Sequence, residues 1–182
     1  MDGWELPVST EISGREYRVN ADYRDVLDII ACLNASGEDE QTRVYVAMAL
    51  FYEDFDTMPE SSWPEAAKRM YDFISCGEED DGRLQPKTID WEQDRAIIVS
   101  DVNKVAGQEI RALRFCHWWT FISWFRAIGE GQLATVVSIR EKLRKGKKLA
   151  DWERDFYRSN RSTVDFKTNY TTEDDAVLSK WS

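Results

Sequence analysis

Residues 114–126 place six aromatic rings, Phe115, Trp118, Trp119, Phe121, Trp124 and Phe125, in the eleven positions between Arg114 and Arg126. That much apolar area has to leave water, so this segment constrains everything packed around it. At 100° per residue, Phe115, Trp118, Trp119, Ile122 and Phe125 share one helix face, while Leu113, Trp124 and Ile128 cover much of the other. A helix that is apolar nearly all round must be wrapped by other helices. Ala112, Cys116, Ser123 and Ala127 form a remaining strip of small residues that would admit a neighbour closely. Eleven uncharged positions fall short of the roughly 18 needed to span a bilayer. The segment therefore reads as a central core helix, with Trp118, Trp119, Phe121 and Phe125 in the core.

Helical spacing recurs along the chain. Val26, Ile29, Ile30 and Leu33 predict a helix over 22–33; Val44, Ala47, Met48 and Phe51 predict a second over 40–54. Pro64, after Ser62 and Trp63, opens a third with Ala67, Met70, Phe73 and Ile74 inward, stopped at Gly77. Further helices are predicted over 89–106, 135–145 and 150–159, with the aromatic helix ending at Gly129 and Gly131. Residues 8–12 and 15–19, joined at Ser13 and Gly14, predict a short hairpin. Residues 78–86 read as a loop, and residues 161–182, polar and aperiodic, as a loosely ordered tail. The expected fold class is all-α: a single helical domain over 1–160 with about seven helices around the aromatic one, plus the amino-terminal hairpin.

The three cysteines, Cys32, Cys76 and Cys116, are odd in number and widely spaced, which argues for reduced thiols rather than disulfides or a zinc site. The amino-terminal residues carry acids and no apolar run, so a protein that stays in the cytoplasm where it is made is expected. Of the net charge of −10, residues 1–94 hold 23 acids and 8 bases, and residues 95–182 hold 11 acids and 16 bases. Within the second half, residues 139–148 contain six bases and one acid. Such a run is either an anion-binding patch or a solvated helix end placed there by the helix dipole. Arg144, Lys145, Lys147 and Lys148, with Trp152 on the following helix, are the candidate partner contacts.

His117 is the only histidine, which leaves little scope for a histidine metal cluster or a Ser-His-Asp arrangement. It reads as a structural histidine at one edge of the aromatic helix. Glycine-rich phosphate loops are missing, and neither a cofactor nor a metal is expected. On the fourth helix Trp91, Ile97, Ile98 and Val105 define an apolar arc into which Asp94 and Asp101 also project. On the sixth, Arg140 projects among Val136, Ile139 and Leu143. Asp94 or Asp101 is expected to pair with Arg140 across the core. The competing reading is a divalent-metal site of Asp90, Asp94 and Asp101, as a nuclease would need, although acids of one straight helix converge poorly on one ion.

The order of these motifs resembles a known family. Asp22, Tyr23, Arg24 and Asp25, then Asp90, Trp91, Glu92 and Asp94 with Ile97, then His117, Trp118, Trp119 and Phe121, then Ile139 and Arg140, and finally Trp152, Glu153, Phe156, Tyr157 and Arg158 are similar to the bacteriophage gene-product-fifteen family of siphophage tail proteins. The likeness covers about residues 10–160. It implies tail morphogenesis in the cytoplasm of an infected bacterium, without an implied catalytic site. The partners it implies are the tape-measure protein or a second tail chaperone, with self-association as a further option and neither membrane nor nucleic acid expected. Two other readings are an acidic inhibitor of a host nucleic-acid-binding enzyme and a structural component of the tail.

Overall fold

Ser13 and Gly14 both take left-handed backbone, with φ of 51° and 79°. Two such residues in succession match the twist of an antiparallel ribbon, and they join β1 (Ser9–Ile12) to β2 (Arg15–Arg18) as the sequence predicts. The computed structural model describes residues 5–78 and 87–167, and the rest of the described chain is mostly helical. Eight α-helices lie among the described residues: α1 (Tyr23–Leu33), α2 (Glu40–Phe51), α3 (Trp63–Ile74), α4 (Arg95–Ala106), α5 (Trp118–Arg126), α6 (Gln132–Arg144), α7 (Asp151–Ser159) and α8 (Arg161–Val164). None is long and apolar enough to cross a membrane.

Two compact units emerge, residues 1–85 with 102–128 and residues 86–101 with 129–182, so the division falls inside α4. In the first unit the core is built from Ile12 and Tyr17 of the hairpin, Val26 and Ile29 of α1, Met48 and Phe51 of α2, Met70 and Phe73 of α3, and Trp118 and Phe121 of α5. The Tyr23 and Phe121 rings stack with centroids 4.7 Å apart. The second unit buries Ile97 and Ile98 of α4, Leu133, Val136 and Ile139 of α6, and Val164 of α8. Counted by unit, the charge falls on one side only, where the two halves of the sequence carry opposite signs. The first unit holds 21 acids and 11 bases, the second 13 of each, so the first carries the whole net charge of −10.

Several elements differ from expectation, each for a local reason. The aromatic helix is shorter than its run of rings. Residues 114–117 are not helical, because the Tyr23 N–H donates to Cys116 O and the Trp118 N–H to Ala21 O, tying this stretch to the entry of α1. Phe115 is consequently 56% exposed rather than inward, and Trp119, Trp124 and Phe125 are only half-buried. The strip of small residues does not exist as a helix face, since Ala112 and Cys116 precede α5 and Ser123 and Ala127 face solvent. The fourth helix begins at Arg95, not near 89, because Asp90 turns the chain: its carboxylate accepts from the N–H groups of Glu92 (3.0 Å) and Gln93 (2.8 Å). Val105 and Leu143, expected inward, are exposed. The second helix ends at Phe51, three residues early, where Tyr52 turns extended to bridge Val19.

The chain also stays ordered past the expected boundary at 161, since α8 follows and Val164 is buried. Residues 168–182 of the expected tail, and 79–86 of the expected acidic loop, lie outside the described residues.

Candidate functional site

In the second unit the sequence-predicted ion pair is present and belongs to Asp94. Arg140 Nη1 and Nη2 donate to the two Asp94 oxygens at 2.6 and 2.8 Å, a bidentate fork with both side chains buried. The remaining donors go to backbone carbonyls: Nε to Val164 O (2.7 Å), Nη1 to Thr88 O (3.0 Å) and Nη2 to Thr163 O (2.8 Å). All five guanidinium N–H groups thus have acceptors. The Phe166 ring lies 4.1 Å from the guanidinium carbon. Gln93 completes the grip, its amide donating to Asp165 O (2.8 Å) and accepting from the Lys167 N–H (2.9 Å). Arg140 is therefore less a helix-to-helix bolt than a clamp on residues 163–167. That segment's part was invisible in a sequence without periodicity after 161.

Asp101 does different work. Its carboxylate accepts from the Leu133 N–H at 2.9 Å, satisfying a free donor in the first turn of α6. Gly131 leaves room for it: an added Cβ would stand 2.5 Å from Asp101 Oδ2, so a side chain there would displace the carboxylate. Asp94 and Asp101 are thus engaged separately, and among the described residues no group of three or more His, Cys, Asp or Glu side chains gathers as a metal site would need.

In the first unit Asp22 caps α1, accepting from Arg24 N–H (3.0 Å) and Cys116 N–H (2.9 Å), while the Arg24 guanidinium bonds both its oxygens. Burial alone would raise this carboxyl, but the Arg24 side chain and the two backbone N–H groups hold it below the ordinary aspartate value. His117 is the N-cap of α5. Its Nδ1 accepts from the Trp119 N–H at 3.0 Å, so the 2.9 Å contact of Nε2 with Pro7 O makes Nε2 the protonated nitrogen. The indole N–H groups of Trp118 and Trp119 donate to Ile74 O and Phe73 O, both at 2.9 Å, capping the carbonyl end of α3. The aromatic run thus serves as core and as cap.

Cys116 is buried between these groups, and burial followed by the nearby Asp22 charge pushes its thiol up to about 11. At pH 8 only about one molecule in a thousand carries the thiolate, the reactive form. Alkylation of the folded protein at pH 8, followed by mass spectrometry, is expected to modify Cys116 far more slowly than the half-buried Cys32. Equal rates would show that the segment 114–118 opens freely.

The candidate partner residues sit around the end of α6 and the start of α7. Trp152 is 60% exposed, and Leu143, Arg144, Lys145, Lys147 and Lys148 are exposed. Lys145 pairs with Glu141 at 2.9 Å, whereas Arg144, Lys147 and Lys148 have no ion pair among the described residues. Lys142, part of the same basic run, is spent on Glu153, whose other oxygen accepts from the Ala150 N–H at 2.8 Å and opens α7. Lys142 and that N–H hold the Glu153 carboxyl below its ordinary value. Glu153 is a structural residue that charge counting missed; its position three residues beyond Ala150 is the available signal.

No curated protein and no solved structure shows a significant match to the chain. The family described as Bacteriophage Gp15 protein matches residues 4–166. Asp22, Asp94, His117, Arg140 and Glu153, all part of the motif order that suggested the resemblance, are the residues that fix the backbone in both units. With the match covering nearly the whole chain, the protein belongs to the bacteriophage Gp15 family.

Proposed function

We propose that the protein is a non-enzymatic tail-morphogenesis factor acting in the host cytoplasm, a chaperone that holds the tape-measure protein or a fellow chaperone until tail subunits polymerise. Family membership supports the phage setting. The observation that carries the binding role is the exposed stretch from the end of α6 to the start of α7, which carries the cations Arg144, Lys147 and Lys148 and the exposed Trp152. An exposed aromatic in a cationic stretch suits a partner surface that offers both apolar and acidic groups. A tape measure is a long helical chain with apolar stripes before assembly, and a small helical partner can shield them.

Reversing Arg144, Lys145, Lys147 and Lys148 to glutamate is expected to reduce recovery of a co-expressed tail protein. The difference should be larger at low salt, because screening limits these charges to about 8 Å at physiological ionic strength. The thermal midpoint should barely move, since exposed charges contribute little to stability. Co-purification with the products of the adjacent tail genes at two salt concentrations tests both points. Equal recovery returns the basic run to a solvated helix end, and no tail protein recovered with wild type sinks the chaperone assignment.

A further inference from the structure

The first unit carries an exposed apolar surface of its own on α2. Helix α2 is apolar on two sides: Ala47, Met48 and Phe51 are buried, yet Tyr45, Val46, Ala49 and Leu50 face solvent. The exposed set falls at i, i+1, i+4 and i+5, two adjacent rows along one face, which is the spacing of a stripe that packs against another helix. Tyr45, Val46 and Leu50 are 45%, 40% and 44% exposed. Single exposed apolar residues are ordinary, but a contiguous helical stripe marks an interaction face. The Tyr45 ring is already positioned, with the Phe55 and Trp63 rings edge-on at 5.3 Å, so docking against it costs little side-chain freedom.

Charge selects the occupant. Glu38, Asp39 and Glu40 lie at the start of α2 and Glu53, Asp54 and Asp56 beyond its end, within a unit carrying the whole net charge of −10. Of these, Glu53 has a partner in Arg18, through an exposed pair at 3.3 Å. Two copies pairing through α2 would bring acidic ends together in either orientation, which disfavours a second copy. We infer that the outer face of α2 docks an amphipathic helix of a partner protein, one whose apolar stripe is flanked by lysine or arginine at both ends. This surface is independent of the tail-chaperone reading.

The test uses the full chain and two labelled synthetic peptides of about 20 residues. Both carry leucine at i, i+3, i+4 and i+7; one has lysines at its ends, the other glutamates. By fluorescence anisotropy the lysine peptide is expected to bind at least about tenfold more tightly, with a preference that shrinks as salt rises. The double variant Val46→Lys/Leu50→Lys should lose about tenfold or more in affinity, and Val46→Ala/Leu50→Ala a smaller amount in the same direction, both with an unchanged thermal midpoint. No binding of the lysine peptide, equal binding of the two peptides, or variants that bind like wild type would overturn the proposal. So would a wild-type dimer in sedimentation that Val46→Lys/Leu50→Lys dissociates, since a second copy would then cover the face. Because both peptides are synthetic, the outcome does not depend on whether tail proteins co-purify.

Discussion

Arg140→Met is expected to destabilise the protein by roughly 3 to 5 kcal/mol, the range for breaking a buried pair from one side. The substitution leaves Asp94 buried without its counter-ion and removes the Arg140 N–H groups from the Thr88, Thr163 and Val164 carbonyls at once. Adding Asp94→Asn removes the stranded charge and keeps an acceptor for the Asp90 N–H, which donates to Asp94 Oδ2 at 2.9 Å. The double variant should therefore recover part of the loss but not all of it, because the Thr88 and Val164 carbonyls remain without the Arg140 donor and Thr163 O keeps only the Gln93 amide at 3.3 Å. Urea unfolding of the four proteins of the cycle measures this directly. A single variant within about 1 kcal/mol of wild type, or no coupling between the two positions, would mean that the clamp on residues 163–167 does not hold the unit together.

What could be read from the sequence follows from how local each signal is. The hairpin was legible because Ser13 and Gly14 are turn residues, and the ends of α3 because Pro64 and Gly77 act within one turn. The Asp94 to Arg140 pair was legible from a mismatch: charged side chains on apolar arcs need partners. Its choice over Asp101 was not, since that depends on Asp101 meeting the Leu133 N–H across the turn at Gly131. The start of the aromatic helix was misread because periodicity ignores partners outside the segment. Phe115 fits the helical stripe, but the backbone of residues 116 and 117 is tied to Ala21, Asp22 and Tyr23, and the helix starts only at Trp118.

The candidate surfaces show the same limit. The basic run at 139–148 was visible as composition and Arg140 within it as core-facing, but the loss of Lys142 to Glu153 was not, and the exposed set is reduced to Arg144, Lys145, Lys147 and Lys148. The α2 stripe was hidden for the opposite reason. Apolar residues on every side of a helix read as burial, and only the packed structure distinguishes the side that is covered from the side that is left open.

Trp118→Ala is expected to lose roughly 3 to 5 kcal/mol, the cost of emptying a large aromatic site in a packed core. Trp118 is 2% exposed, its ring stacks on Phe121 at 5.7 Å, and its indole N–H satisfies the Ile74 carbonyl at the end of α3. Trp119 is half-buried and supplies a similar cap to Phe73 O, so Trp119→Ala should lose less, about 1 to 3 kcal/mol. Trp118→Phe separates the two contributions: it keeps much of the ring area and deletes the N–H donor, so a loss of about 1 to 2 kcal/mol isolates the cap at the end of α3. Thermal and urea unfolding of the three variants would rank them Trp118→Ala, Trp119→Ala and Trp118→Phe in descending or near-equal order for the last two. If Trp118→Ala and Trp119→Ala both stayed within about 1 kcal/mol of wild type, the aromatic run would not be holding the first unit, and its rings would have to be reconsidered as a binding surface.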